Sequence, residues 1–271
     1  MIRIALTLFF ALSVLCLPAR ADTTDWSEVH GGAVRLISAG PLDHDHYLAG
    51  LEFLLEPGWH TYWRYPGESG IPPQITITQS SNLKTFEVLY PAPVRYADGY
   101  SNSIVYHDGV VLPIRVVPED PAQDVQVSLE VLFGVCKDIC VPGDAVLSLD
   151  FAPSAKIDKL SSKLIKRDLD SVPQQATDQA PRIVSVTASG DRLVIVAEVE
   201  NAPQPDLFAE GPEGSYIGLP KLAAQEDGTA TWHLSTKGLA EPQGDQKLRL
   251  VLTTDRSPVE HLEAIDPAWL R

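Results

Sequence analysis

The sequence predicts an all-β protein made of two successive β-sandwich-like units. Three observations carry this: runs of residues with period-two apolar alternation, turn formers packed between those runs, and a change of texture near residue 153. The turn formers include Pro66-Gly67, Pro72-Pro73, Pro91-Ala92-Pro93 and Pro142-Gly143, a density that suits sandwich loops and rules out long helices.

The first 21 residues, MIRIALTLFFALSVLCLPARA, stand apart from this pattern. One basic residue, Arg3, precedes an apolar run from Ile4 to Leu17, and Ala19-Arg20-Ala21 ends the segment in an A-x-A pattern. That is the composition of a secretory signal peptide cleaved after Ala21, and the run is too short to span a bilayer as a helix. Cys16 leaves with the leader, because Leu15 is too bulky for a lipoprotein cleavage site. The mature chain is therefore expected to be exported into an oxidising space, with no stable membrane insertion.

Residues 22–152 are expected to form the first β unit. Tyr47–Leu55, Gln74–Thr78, Val110–Val117 and Val125–Phe133 read as strands, the last with strict alternation, and Ala145–Asp150 follows as its partner. Residues 153–180 read as a short helix and linker. Ile157, Leu160, Leu164, Ile165 and Leu169 recur at helical spacing among five basic residues, as in a helix packed along the junction. Residues 181–271 return to strands at Arg182–Thr187, Arg192–Val199, Thr229–Leu234 and Lys247–Thr253. The first two are joined across Ser189-Gly190-Asp191, a hairpin signal. This second unit has no cysteine and no evident chemistry.

The formal charge is −15, and loss of Arg3 and Arg20 with the leader takes it to −17. Such a chain does not bind nucleic acid or adhere to anionic lipid; the acidity serves solubility.

Two of the three cysteines remain after the leader, in FGVCKDICVPGD (133–144). In an oxidising compartment a disulfide between Cys136 and Cys140 can persist. Four residues of extended strand span roughly 13 Å, and a disulfide needs Cα atoms about 4.4–6.8 Å apart, so bonding requires the chain to turn. A strand on each side would place the pair at a hairpin tip. As a staple the pair is weak: closing so small a loop removes only about 2 kcal/mol from the unfolded chain, against about 4.7 for a loop of roughly 100 residues. As half of a metal site it would need histidines. His44-Asp45-His46 is the nearest thing to a cluster, and it reads as an exposed polar strand end. Structural disulfide, metal ligand and redox pair all stay open on these grounds.

The run Glu130–Pro142 resembles the redox hairpin of the N-terminal periplasmic domain of the thiol:disulfide interchange protein DsbD, in the variant found in DsbD-like and copper-sensitivity-suppressor-type proteins. Pro57–Gly67 (PGWHTYWRYPG), and Ile104–Asp108 leading into Val111–Ile114, agree in the same order, so the likeness covers roughly residues 30–150. The resemblance implies an immunoglobulin-like sandwich that exchanges thiols and disulfides, with Cys136 and Cys140 as its reacting pair and no cofactor. It implies that Cys140 forms mixed disulfides and Cys136 resolves them. It also implies an aromatic cap over the cysteines, for which Tyr96 and Tyr100 stand at the right place. The spacing of three residues is tighter than in the best-known members. The transporter's multi-span and thioredoxin-like domains have no counterpart in this sequence. The electron donor would then be a separate membrane protein or thioredoxin-like carrier, and the acceptors oxidised periplasmic proteins.

Around the pair, Lys137 favours a thiolate and Asp138 opposes it, so the local charges cancel. His60 and His107 read as core or surface histidines, with assistance to proton transfer as the other role open to them. The competing functions are a non-enzymatic β-sandwich binding module with a structural disulfide, and a copper-handling protein.

Overall fold

The computed structural model describes residues 22–270; the leader assigned to residues 1–21 lies outside them. The first eleven strands are β1 (Ser27–Val29), β2 (Gly32–Ser38), β3 (Tyr47–Leu55), β4 (His60–Gly67), β5 (Gln74–Ser81), β6 (Leu83–Val88), β7 (Val94–Ala97), β8 (Asn102–His107), β9 (Gly109–Pro118), β10 (Val125–Cys136) and β11 (Cys140–Phe151). They form a five-stranded sheet, ordered β1-β2-β3-β9-β6, and a six-stranded one, ordered β11-β10-β4-β8-β7 with β5 also on β10. Packed face to face, the two sheets make an immunoglobulin-like sandwich.

Alternation builds its core. Along β10, Val125, Val127, Leu129, Val131 and Phe133 face inward, where Val34, Leu36, Leu51, Phe53 and Leu112 of the facing sheet meet them. The partner strand β11 contributes Ala145, Leu147, Leu149 and Phe151 in the same rhythm. The register runs unbroken from Val125↔Phe151 to Cys136↔Cys140. This long ribbon therefore ends at the cysteines, and nothing but residues 137–139 closes it.

Helix α1 (Lys159–Leu169) begins later than the helical spacing suggests. Asp158 caps it: its carboxylate accepts hydrogen bonds from the Leu160 and Ser161 amides and from the Ser161 hydroxyl, which fixes the first turn there. The helix packs on the outer face of the five-stranded sheet through Ile165, Ile37 and Val111. Ile157 and Leu160 stay exposed.

The remaining strands are β12 (Gln174–Gln175), β13 (Arg182–Ser189), β14 (Arg192–Glu198), β15 (Asp206–Glu210), β16 (Lys221–Glu226), β17 (Thr229–Ser235), β18 (Leu248–Thr253) and β19 (Val259–Glu263). They form two four-stranded sheets, ordered β12-β19-β18-β15 and β13-β14-β17-β16. Leu193, Ile195, Leu207, Trp232 and Leu250 fill the space within this second unit. The stretch expected as pure linker thus contributes a short strand, β12, paired in parallel with β19.

The second unit packs against the first beside β4 and β7. Phe208, Leu219 and Val251 complete the first unit's apolar core. Arg95 of β7 reaches across to donate to both Asp206 carboxylate oxygens at 2.8 and 3.1 Å and to the carbonyls of Leu207 and Pro220. Tyr65 donates its hydroxyl to the Ile217 carbonyl, and Tyr216 donates to that of Glu68 at 2.6 Å.

Candidate functional site: a disulfide at the tip of a hairpin

Cys136 and Cys140 are joined by a disulfide, with their Cα atoms 4.1 Å apart. The chain turns between them as the spacing required. The Lys137 amide donates to the Ile139 carbonyl at 3.0 Å, and the Lys137 ammonium donates to the Pro57 carbonyl at 3.4 Å, so the tip rests on the turn before β4.

The two sulfurs have unlike surroundings. Cys136 is 2% exposed, whereas Cys140 and the three tip residues are exposed, Ile139 to 61%. The asymmetry comes from the sheet. Val135 points into the sandwich core, so Cys136 points to the opposite face of β10, where β4 and β8 flank it. Cys140, on the edge strand, has no such neighbour on its far side.

Register defines what stands beside the pair. Cys136 is opposite Cys140 on one side and opposite His60 on the other, and His60 is opposite His107. Directly opposed residues share a face. Cys140, Cys136, His60 and His107 therefore form one row across β11, β10, β4 and β8. Two residues along β4 on this same face, Tyr62 donates its hydroxyl to Cys136 Sγ at 2.9 Å and lies 3.3 Å from Cys140 Sγ.

Two glycines seat that tyrosine. A Cβ on Gly70 would lie 2.1 Å from the Tyr62 ring, and one on Gly134 would lie 2.8 Å from Ile71 and 3.4 Å from the same ring. Gly134 is further tied by its amide to the Ile71 carbonyl at 3.0 Å, while its carbonyl accepts from the Thr61 hydroxyl at 2.9 Å. Burial, then Asp98 and Tyr96, push the Tyr62 hydroxyl up to about 12. It stays protonated at any physiological pH and so remains a donor to sulfur.

His60 is 3% exposed, and its Nδ1 has no hydrogen-bond partner. Its ring lies 4.6 Å from that of Tyr96, 5.4 Å from that of Tyr62 and 5.7 Å from that of His107. Burial above all, with His107 adding to it and Asp98 opposing, lowers its pKa to about 4, so the imidazole is neutral. His60 is a buried residue and His107 an exposed one.

Of the cap candidates, Tyr96 packs with Tyr62, Val105 and Cys136 and is 5.3 Å from the His107 ring. Tyr100 is fully exposed on the loop between β7 and β8. Asp98 holds that loop by accepting from the Tyr100 and Ser101 amides, both at 2.8 Å, and Glu68 and Ser69 bond to its far end.

His44 and His46 do not lie on a strand. Asp43 and His46 close a tight turn in which His44 takes a φ of +57°, and each histidine bonds to the aspartate before it. The polar run 43–46 favours its own backbone turn over pairing. Among the described residues, no group of three or more His, Cys, Asp or Glu is arranged to hold a metal ion.

Sequence reasoning missed Tyr62, Gly70 and Gly134. A signal was present, since Tyr62 stands two residues beyond His60 in PGWHTYWRYPG and must share its face if the segment is a strand.

A sandwich that presents a small-loop disulfide at a hairpin tip, with one sulfur buried against a tyrosine and the other facing solvent, has the form of a thiol–disulfide exchange domain. Residues 33–152 match the family model for the thiol:disulfide interchange protein DsbD, N-terminal. Over those residues, a little under half of the chain, the protein is similar to that family. The crystal structure of the N-terminal periplasmic domain of ScsB from Proteus mirabilis superposes with a TM-score of 0.69 at 22% identity, over 90% of this chain and 99% of that one. At that identity the likeness is one of fold, and it extends through both β units. No curated protein sequence matches the chain. Among the described residues, no helix is long and apolar enough to cross a membrane.

Proposed function

We propose that this protein is a periplasmic thiol–disulfide exchange protein. It relays electrons through Cys136 and Cys140 from a separate membrane protein or thioredoxin-like carrier to oxidised periplasmic proteins. The observation that carries the reading is the asymmetry of the disulfide: a solvent-facing Cys140 sulfur bonded to a buried Cys136 sulfur that receives a tyrosine hydrogen bond. A leader peptide on the sequence and the similarity to the DsbD N-terminal family support the periplasmic setting.

Access supports a division of roles between the two cysteines. Attack on a disulfide is in line with the S–S bond, so an incoming donor thiolate reaches Cys140 and expels Cys136. The leaving thiolate is met by the Tyr62 O–H, which strengthens as charge develops on sulfur. The donor's second thiol then attacks its own sulfur in the mixed disulfide and frees Cys140; the donor dithiol is oxidised and the hairpin reduced. In the onward step the Cys140 thiolate attacks an acceptor disulfide. Cys136 then attacks Cys140 Sγ, which restores the hairpin disulfide and releases the reduced acceptor. Tyr96, packed beside the pair, and Tyr100, exposed at the rim, are the cap and partner-contact residues of this scheme.

Equilibration of the folded protein with a glutathione redox series, followed by thiol trapping, tests the relay. The pair is expected to titrate without unfolding; a bond that yields only to denaturing reductant would make it a structural staple. Partner capture tests the roles. Cys136→Ser leaves Cys140 free and is expected to hold partners as mixed disulfides, while recovery through Cys140→Ser instead would reverse the assignment.

A further inference from the structure

Reduction of the hairpin creates a problem that the relay alone does not solve. The thiolate expelled at Cys136 forms in a nearly closed site, and a buried charge without a counter-charge is costly. Most groups around it cannot supply one. Tyr62 keeps its proton and offers only a hydrogen bond, Tyr96 brings an aromatic ring, Asp98 is of the wrong sign, and the Lys137 ammonium is committed to the Pro57 carbonyl on the tip. His60 and His107 remain, in the same cross-strand row as the cysteines.

Of these two, His60 is adjacent to Cys136, and it carries an oddity of its own. A polar atom buried without a partner, as its Nδ1 is, calls for an explanation such as a role in another state of the protein. Resting on the relay reading, we propose that His60 is the proton-holding residue of the redox centre, taking up one proton when the disulfide is reduced and releasing it when the disulfide reforms. His107, exposed and next in the row, has its ring 5.7 Å from that of His60.

The balance is complete with a donor dithiol as the sole co-reactant. Its two S–H bonds break and its own disulfide forms, while the Cys136–Cys140 bond breaks and takes the electron pair. One proton ends on Cys140 Sγ. The other ends on the His60 ring, and Cys136 stays a thiolate facing the Tyr62 O–H and the imidazolium. The low oxidised-state pKa of His60 fits this cycle, because burial outweighs the opposing charge of Asp98 and keeps the ring empty of its second proton until the thiolate forms.

The test needs no variant to begin with. Ring-nitrogen NMR of the wild-type protein, near neutral pH, is recorded oxidised and again after chemical reduction in the folded state, with His60→Gln used to assign the signal. His60 is expected to be neutral when oxidised and doubly protonated when reduced. A ring that is neutral in both states, or cationic in both, overturns the proposal. As a second measurement, the ultraviolet thiolate absorbance of the reduced wild type near neutral pH is expected to fall several-fold in folded His60→Gln; an unchanged thiolate would also overturn it. Chemical reduction keeps this result separate from the relay. A disulfide that ignores glutathione sinks the relay, while a glutathione-responsive one beside an unresponsive His60 sinks only this inference.

Discussion

The Tyr62 hydroxyl lies 2.9 Å from Cys136 Sγ, and it is the one hydroxyl that reaches both sulfurs of the disulfide among the described residues. Its donor character is secure, because burial holds its proton up to about 12. A hydrogen bond to a neutral disulfide sulfur is weak; one to a thiolate is charge-assisted and contributes about 1.5–3 kcal/mol. The bond thus favours the reduced state over the oxidised one. Tyr62→Phe keeps the ring in its slot and removes the donor. The glutathione equilibrium is expected to shift at least about tenfold toward the disulfide. An equilibrium within twofold of wild type would show that the hydroxyl does not stabilise the Cys136 thiolate.

Gly70 is required twice over. Its φ of +129° is open to few residues but glycine, and any Cβ there would sit 2.1 Å from the Tyr62 ring. Gly70→Ala therefore has to displace the ring or the segment that covers it. A loss of about 1–3 kcal/mol is expected in denaturant unfolding, together with faster exchange at the pair as the cover loosens. Gly99, at φ +89° on the exposed β7–β8 loop, serves as the control, because a Cβ there would meet nothing within 4 Å. Gly99→Ala is expected to cost only the backbone strain and to leave exchange unchanged.

What was legible in the sequence followed from burial on one face. Val125–Phe133 and Ala145–Asp150 alternate because one side of the ribbon is core and the other solvent, and the structure pairs them as expected. The turn between the cysteines followed from bond geometry alone. The segment β4 hid its role because both of its faces are buried: Thr61 and Trp63 on one side, His60 and Tyr62 on the other. Without alternation, nothing in the pattern marks one face of the strand as core and the other as site. The glycines under Tyr62 come from outside the strand that carries it, and no local pattern joins them.

His60 gives the oxidised protein a pH dependence whose sign is fixed. Its folded pKa, about 4, lies below the ordinary 6.5, so the unfolded chain binds this proton more readily than the folded one. Stability is then full above about pH 6.5 and declines as pH falls toward 4, by at most about 3 kcal/mol. Urea unfolding of the oxidised protein at several pH values checks this. In His60→Gln the slope across that window is expected to flatten. A slope identical to wild type would mean that other groups carry the acid sensitivity.

Arg95 fastens the second unit beside the redox face. It spends its guanidinium on Asp206, on the carbonyls of Leu207 and Pro220, and lies 5.8 Å over the Phe208 ring. It also sits one residue before Tyr96, so that the strand carrying the cap candidate is tied directly to the second unit. Arg95→Ala leaves the Asp206 carboxylate and two carbonyls without this donor, at a cost of about 2 kcal/mol after allowance for the roughly 30% exposure of both side chains. Hydrogen exchange is expected to rise in β7 and β15 while β10 and β11 keep their protection. Thiol trapping of Cys140 in the oxidised–reduced titration is expected to speed up as Tyr96 loosens. If β7 exchanges faster but trapping does not, the second unit braces the sandwich without governing access to the cysteines.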